Sequence, residues 1–243
     1  MTTWLPAVLF EDEDLLALNK PAGLLVLPDR WDAAQPNLLD RLNTGSSAGA
    51  APARYYVVHR IDRDTSGVLL FARNPAAHRA LSMQFSDRRV RKTYEALLEG
   101  ALDGEMGMID QPLAPDPRRR GAVRVDAAGK PAQTEYHLLA RGRGFSWVRA
   151  FPRTGRTHQL RVYFAALGHP LGVDPLYGRC PALYRSDLTG GPRTADEPPL
   201  LGRLSLHAAE LEFVHPRSGR RGAVAAPLPE DLRRTRAALE AAP

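Results

Sequence analysis

The 243-residue chain is 44% hydrophobic and 25% charged, with a formal net charge of +6 and a single cysteine. That is enough apolar material for a substantial core, and it argues against a fibrous or broadly disordered protein. There is no apolar run long enough to span a bilayer. Cys180 alone provides neither a disulfide nor a CxxC zinc pair, and the acidic opening MTTWLPAVLFEDED lacks the basic start of a secretory signal. A soluble protein of a reducing, cytoplasmic compartment is expected.

Only three of the 33 basic residues are lysine. Arginine's forked, weakly hydrated cation suits phosphate contact and stacking on bases. The arginines also cluster. Residues 141–161 hold six arginines and no acid, Arg88, Arg89, Arg91 and Lys92 form a second group, and Arg118, Arg119, Arg120 and Arg124 a third. Recurrent basic clusters of this kind point to a polyanion.

In chain order, residues 6–10, 14–18 and 24–27 read as short strands, with a Pro21-Ala22-Gly23 turn before the third. A short helix is expected over 37–42, and 43–53 (NTGSSAGAAPA) is a small-residue loop. Residues 54–58 and 67–72 read as buried strands, and 76–85 as a helix entered through Pro75. Strands are expected at 93–98, 134–140 and 145–151. Thr157 is positioned to cap a helix that runs through Leu167 and stops at Gly168. The proline-broken segment 181–203 reads as an exposed loop, followed by a strand at 204–213 and a terminal helix over 230–239. Strands outnumber helices without strict βαβ alternation, so the class is mixed α+β. No linker is visible, and one domain over 1–243 is expected.

The densest chemistry is His59-Arg60-Ile61-Asp62-Arg63-Asp64-Thr65-Ser66-Gly67, a polar loop between two apolar strands. By chemistry alone it is either a functional loop or a salt-bridged turn. HRIDRDTSG resembles the signature of the RluA family of pseudouridine synthases. Further segments resemble that family in order: KPAGLLV at 20–26, RKTYEALLEG at 91–100, TGRTHQLRVYFAALGHPLGVDPLYG at 154–178 and LSLHAAELEFVHPRSG at 204–219. Three positions depart from the pattern: Ile61 where Leu is common, Tyr163 where His is common, and Gly172-Val173 before Asp174.

The resemblance implies a bent, mainly antiparallel central sheet with flanking helices, the pseudouridine synthase fold, with an active cleft across it. It implies isomerisation of uridine to pseudouridine in structured RNA, ribosomal or transfer, with Asp62 as the catalytic carboxylate. The reaction breaks the N1–ribose bond and joins C5 to the same carbon. It involves no oxidation and no group addition, so no cofactor and no metal are expected. The carboxylate acts as a nucleophile or as a stabiliser of the ribose, and the sequence leaves both routes open.

A carboxylate beneath a base gains from a permanent cation beside it, and the resemblance sets Arg161 against Asp62. It makes Tyr94 the ring that stacks on the target base. Arg60 is the candidate to fill the space left by the extruded nucleotide. Leu160 is a pocket wall or a core residue. His59, Thr65, Lys20 and Arg91 complete the expected substrate contacts. The chain begins directly on the catalytic pattern, without the S4-like domain of many relatives, so RNA selection is expected from the catalytic domain itself, acting as a monomer without a membrane. Two alternatives remain at this point: a non-catalytic RNA-binding module or chaperone, and a zinc deaminase, whose H-x-E and C-x-x-C pattern is absent.

Overall fold

The computed structural model describes residues 5–29, 32, 34–44 and 54–241. The first half of the chain forms β1 (Val8–Glu11), β2 (Leu15–Lys20), α1 (Leu38–Thr44), β3 (Tyr56–Val57), β4 (Ser66–Ala72), α2 (Pro75–Ser86) and β5 (Arg91–Glu99). Then come β6 (Met106–Asp110), β7 (Leu113–Pro115), β8 (Val123–Val125), β9 (Gln133–Gly142), β10 (Phe145–Pro152) and α3 (Gln159–Ala166). The chain ends through α4 (Arg185–Thr189), β11 (Leu206–Val214), β12 (Arg221–Ala225) and α5 (Glu230–Glu240).

These elements form two compact units, one of residues 1–92 and 208–227, the other of 93–207 and 228–243. Two of the crossings fall inside β5 and β11 rather than in linkers, so composition carries no sign of them.

In the first unit the sheet order is β1-β2-β4-β11, with β12 on β11 and β3 on β4. β2 and β4 pair antiparallel from Leu15↔Ala72 to Lys20↔Gly67. Both faces of β4 are covered. Val68, Leu70 and Ala72 pack with Ala77 and Leu81 of α2, while Leu69 and Phe71 pack with Leu38 and Leu42 of α1. Double coverage explains why β4 is an unbroken apolar run. Asn74 caps α2, its Oδ1 accepting from the Ala77 N–H at 2.9 Å, and Pro75 opens the helix. Far ends of the unit are tied by ion pairs. His215 Nε2 lies 2.8 Å from Asp12 Oδ2, and Arg217 donates to both oxygens of Asp14 at 2.6 and 2.9 Å. Asp12, Asp14 and His215 are close enough to hold a cation. Arg217, however, already supplies that charge and holds Asp14 at about 2, below the usual carboxylate range.

In the second unit the order is β5-β10-β9-β6, antiparallel, beside a two-stranded β7–β8 hairpin. One face, with Ala96, Leu98, Val148 and Ala150, packs on Leu160, Tyr163 and Phe164 of α3. The opposite face, with Leu97 and Trp147, packs on Leu232 and Leu239 of α5.

Several expectations are corrected. Residues 24–27 are not a strand: the Leu25 and Val26 carbonyls accept from Leu38 and Leu39 N–H at the start of α1. The segment 181–203 contains α4 and buries Leu183, Leu188 and Leu201 in the cluster with Trp147, while residues 189–196 are exposed, so only part of it is the exposed loop expected. His158, not Thr157, precedes α3 as its cap, whereas Gly168 does terminate it, with Gly168 N–H bonded to Ala165 O and His169 N–H to Phe164 O. Strands β6, β7, β8 and β12 were not anticipated. Most of the loop expected at 43–53 lies outside the described residues.

Candidate active site

The loop between β3 and β4 is fixed from several sides. Gly67 has φ +115°, and a Cβ there would lie 2.1 Å from the Ala208 carbonyl oxygen, so no other residue fits beneath β11. Thr65 N–H bonds to the Asp62 carbonyl at 3.2 Å, and the Thr65 and Ser66 side chains are buried. Lys20 is wholly buried at the end of β2. Its Nζ donates to the carbonyls of Pro21 (2.9 Å), Leu24 (2.9 Å) and Arg63 (2.7 Å). The Gly23 N–H adds a bond to Arg63 O at 2.9 Å, so the Pro21-Ala22-Gly23 turn and the Asp62 loop are one assembly.

His59 Nε2 accepts from the Leu70 N–H at 2.9 Å, and its ring stacks on Phe85 with centroids 4.8 Å apart. An accepting Nε2 places the proton of the neutral ring on Nδ1. Burial, with the charge of Lys92 adding to it, pushes His59 down to about 3, so the ring is neutral at physiological pH. Asp62 is half-buried and Arg60 exposed.

In the second unit, Gln159 pins the loop before α3. It accepts from Thr154 Oγ1 (2.8 Å) and Arg156 N–H (3.0 Å), and donates to Gln133 O and Thr134 Oγ1. Arg161, two residues further, is buried and grips Asp174 side-on, Nε to Oδ2 at 2.8 Å and Nη2 to Oδ1 at 2.7 Å. Tyr94 is half-buried on β5, across from Ala150, and packs on the cluster that contains Leu160. Its neighbour Glu95 faces the other way and is fully engaged, by Trp147 Nε1 at 2.9 Å and Arg149 Nη2 at 2.8 Å.

A family model described as RNA pseudouridylate synthase matches residues 14–166, which span both the Asp62 loop and Arg161. The ribosomal large subunit pseudouridine synthase D of Nitrosomonas europaea is 38% identical over 227 residues, 93% of this chain and 62% of that protein. The dual-specificity RNA pseudouridine synthase RluA of Vibrio vulnificus is 38% identical over 217 residues, 87% of this chain and 78% of that one. This chain belongs to the RNA pseudouridylate synthase family. The solved structure titled human RNA pseudouridylate synthase domain containing 1 matches 98% of this chain and 95% of its own, with a TM-score of 0.69 and 26% identity. Its counterpart domain containing 4, at 22% identity and a TM-score of 0.70, supports the fold.

Within this family member the expected site residues separate into two groups. Lys20, Thr65 and His59 are the loop's scaffold. Lys20 is 0% and Thr65 1% exposed, and His59 spends its acceptor on the Leu70 amide. Leu160 is a core residue, buried with Tyr163 and Phe164. Asp62 and Arg60 belong to the first unit, Tyr94 and Arg161 to the second, and exposed Arg91 lies 3.7 Å from Glu212.

Asp174 was not anticipated as the partner of Arg161; the only signal in the sequence was the GVDPLYG segment itself. The Tyr163 departure has a local reason. Its hydroxyl donates to Gln111 O at 2.6 Å and so ties α3 to the strand connection β6–β7.

Proposed function

We propose that this chain isomerises uridine to pseudouridine in ribosomal or transfer RNA, with Asp62 as the catalytic carboxylate at the ribose. The observation that carries this reading is the loop His59–Gly67: Asp62 sits on a segment clamped by Lys20, His59 and Gly67, in a member of the pseudouridylate synthase family. Rigid support of a reacting group is what catalysis requires, because small displacements of a reacting atom are costly. A plain RNA-binding module has no need of it.

Tyr94 takes the role of the ring that stacks on the target base, which its half-buried place on a rigid strand suits. Arg161 takes the role of the permanent cation, and its fixed side-on geometry favours a positioned charge over a loose phosphate contact. Arg60, exposed beside Asp62, takes the place of the extruded nucleotide. The chemistry is internal to one nucleotide, so the proposal includes a monomeric, cytoplasmic enzyme that needs no cofactor or metal.

The test is single-turnover tritium release from 5-tritiated ribosomal and transfer RNA. The wild type is expected to release tritium, and Asp62→Asn, nearly isosteric, to lose about 10³-fold or more in rate while still binding RNA. Retention of activity within about tenfold in folded Asp62→Asn refutes the assignment.

A further inference from the structure

The role proposed for Arg161 leaves unexplained why a buried carboxylate grips it. Asp174 is 2% exposed, and its Oδ1 accepts from the backbone N–H groups of Leu176 (2.8 Å) and Tyr177 (3.1 Å) as well as from Arg161. Burial pushes the Asp174 carboxyl up, but the Arg161 guanidinium and these two amides outweigh it and hold the group below the ordinary carboxylate range. The turn closes with Gly178 N–H on Asp174 O at 2.9 Å, and a Cβ at Gly178 would stand 2.8 Å from that same oxygen. The carboxylate is therefore fixed by its own turn before it fixes anything else. Because it takes the Nε–Nη2 side of the guanidinium, it also sets the direction of Nη1.

The next residues of the turn reach elsewhere. The Tyr177 ring lies beneath Arg161, 5.2 Å from its Cζ. Its hydroxyl accepts from the Val123 N–H on β8 at 2.8 Å and lies 3.0 Å from His158 Nδ1. Arg119 Nη2 donates to the Leu176 carbonyl at 2.6 Å. Five residues thus hold both the buried arginine of α3 and the β7–β8 hairpin, whose connection carries Arg118, Arg119 and Arg120.

We propose that the turn Asp174–Gly178 is a positioning element. Asp174 aims the Arg161 guanidinium, and Tyr177 ties that arginine to the β7–β8 hairpin, so that an RNA held by the hairpin's arginines stands in register with Arg161. The proposal rests on the function assigned to Arg161 above. Asp174 and Tyr177 are positioning residues, acting through Arg161 and the hairpin.

The test compares wild type, Asp174→Asn, Arg161→Lys, the double variant and Tyr177→Phe. It uses single-turnover rates at saturating RNA, RNA dissociation constants and thermal melts. Asp174→Asn is expected to lower the saturating rate about 10²-fold, with RNA affinity close to wild type. The double variant is expected to be no slower than Arg161→Lys, since nothing remains to be aimed. Tyr177→Phe keeps the ring and loses both hydroxyl contacts, and should weaken RNA binding about five- to tenfold with the saturating rate little changed.

Independent, multiplying losses in the double variant mean that Asp174 is merely structural, and overturn the proposal. If Asp174→Asn does not fold, Tyr177→Phe decides, and wild-type affinity in that variant overturns the proposal. An active wild type whose Arg161→Lys variant is equally fast overturns the role of Arg161 and this inference with it, whereas a wild type inactive on all RNA overturns the function itself.

Discussion

Replacing Lys20 by methionine keeps most of the side-chain volume and removes only the ammonium. That ammonium is wholly buried, and its three bonds of 2.9, 2.9 and 2.7 Å serve the carbonyls of Pro21, Leu24 and Arg63. Each carbonyl left without its donor costs about 1–3 kcal/mol, or roughly 6 kcal/mol for three. The variant recovers the dehydration cost of a buried cation, itself several kcal/mol in folded proteins. The balance is a loss of about 2–4 kcal/mol, because the carbonyls stay in place while their partner leaves. Urea unfolding at pH 7 measures the change. Amide hydrogen exchange locates it, with faster exchange expected at Gly23, whose N–H shares the Arg63 carbonyl, and at Thr65, while α2 is unaffected. A loss below about 1 kcal/mol with unchanged protection at Gly23 would mean that the ammonium does not hold the Asp62 loop.

His59, held neutral down to about 3 by burial and then by Lys92, gives an acid-sensitive stability. The unfolded chain takes up this proton near pH 6.5 while the folded chain does not, so stability is level above that pH and falls between about 6.5 and 3, by about 2 kcal/mol at pH 5. Urea midpoints at pH 7 and 5 test this, and an equal loss in His59→Gln would assign it to another group. Gly67→Ala must displace backbone atoms of Ala208, 2.1 Å from the new methyl, and is expected to cost over about 4 kcal/mol or abolish folding; a wild-type melt contradicts the close approach. Tyr94→Phe retains the ring and should bind RNA within about twofold of wild type, whereas Tyr94→Ala should lose both stacking and turnover. Full activity of the alanine variant removes Tyr94 from the site.

Which parts of the fold were legible follows from what each residue packs against. β4 and α2 were readable because an uninterrupted SGVLLFA run covered on both sides, and a Pro75 start capped by Asn74, are local signals. Residues 24–27 carry the same apolar signal but spend their carbonyls on the start of α1, a partner that only the folded chain brings near. The prolines of 181–203 hid four buried leucines, because a segment can be irregular in backbone and still be core. β6 exposes Met106 and Met108 at the sheet edge, so its apolar residues do not mark a buried face, and the Val-Arg-Val alternation of β8 spans only three residues, too few for a strand signal.

The site divides in the same way. The polar loop that bears Asp62 was legible because it is contiguous between two apolar strands. Lys20 reads in the sequence as a substrate contact, and one of its acceptors, the Arg63 carbonyl, lies 43 residues along the chain. Asp174, 13 residues from Arg161, lies in the GVDPLYG segment, which marks the turn but not its pairing with that arginine.

The two units solve one problem by the same physical means. In the first, a buried cation, Lys20, donates to three carbonyls and holds the loop that bears Asp62. In the second, a buried anion, Asp174, is saturated by two amides and a guanidinium and holds Arg161. Buried ions contribute little net stability, since dehydration consumes most of their attraction. What they add is direction: a group bonded at two or three fixed points has one orientation, whereas apolar packing of equal volume tolerates several. A reaction that turns a base between breaking one bond and forming the next needs groups that stay aimed while the substrate moves. Asp14 and Glu95 are buried and paired as well, so ion burial is not confined to the proposed site, but on the proposed function Lys20 and Asp174 are the two whose fixed bonds bear on the Asp62 loop and on Arg161.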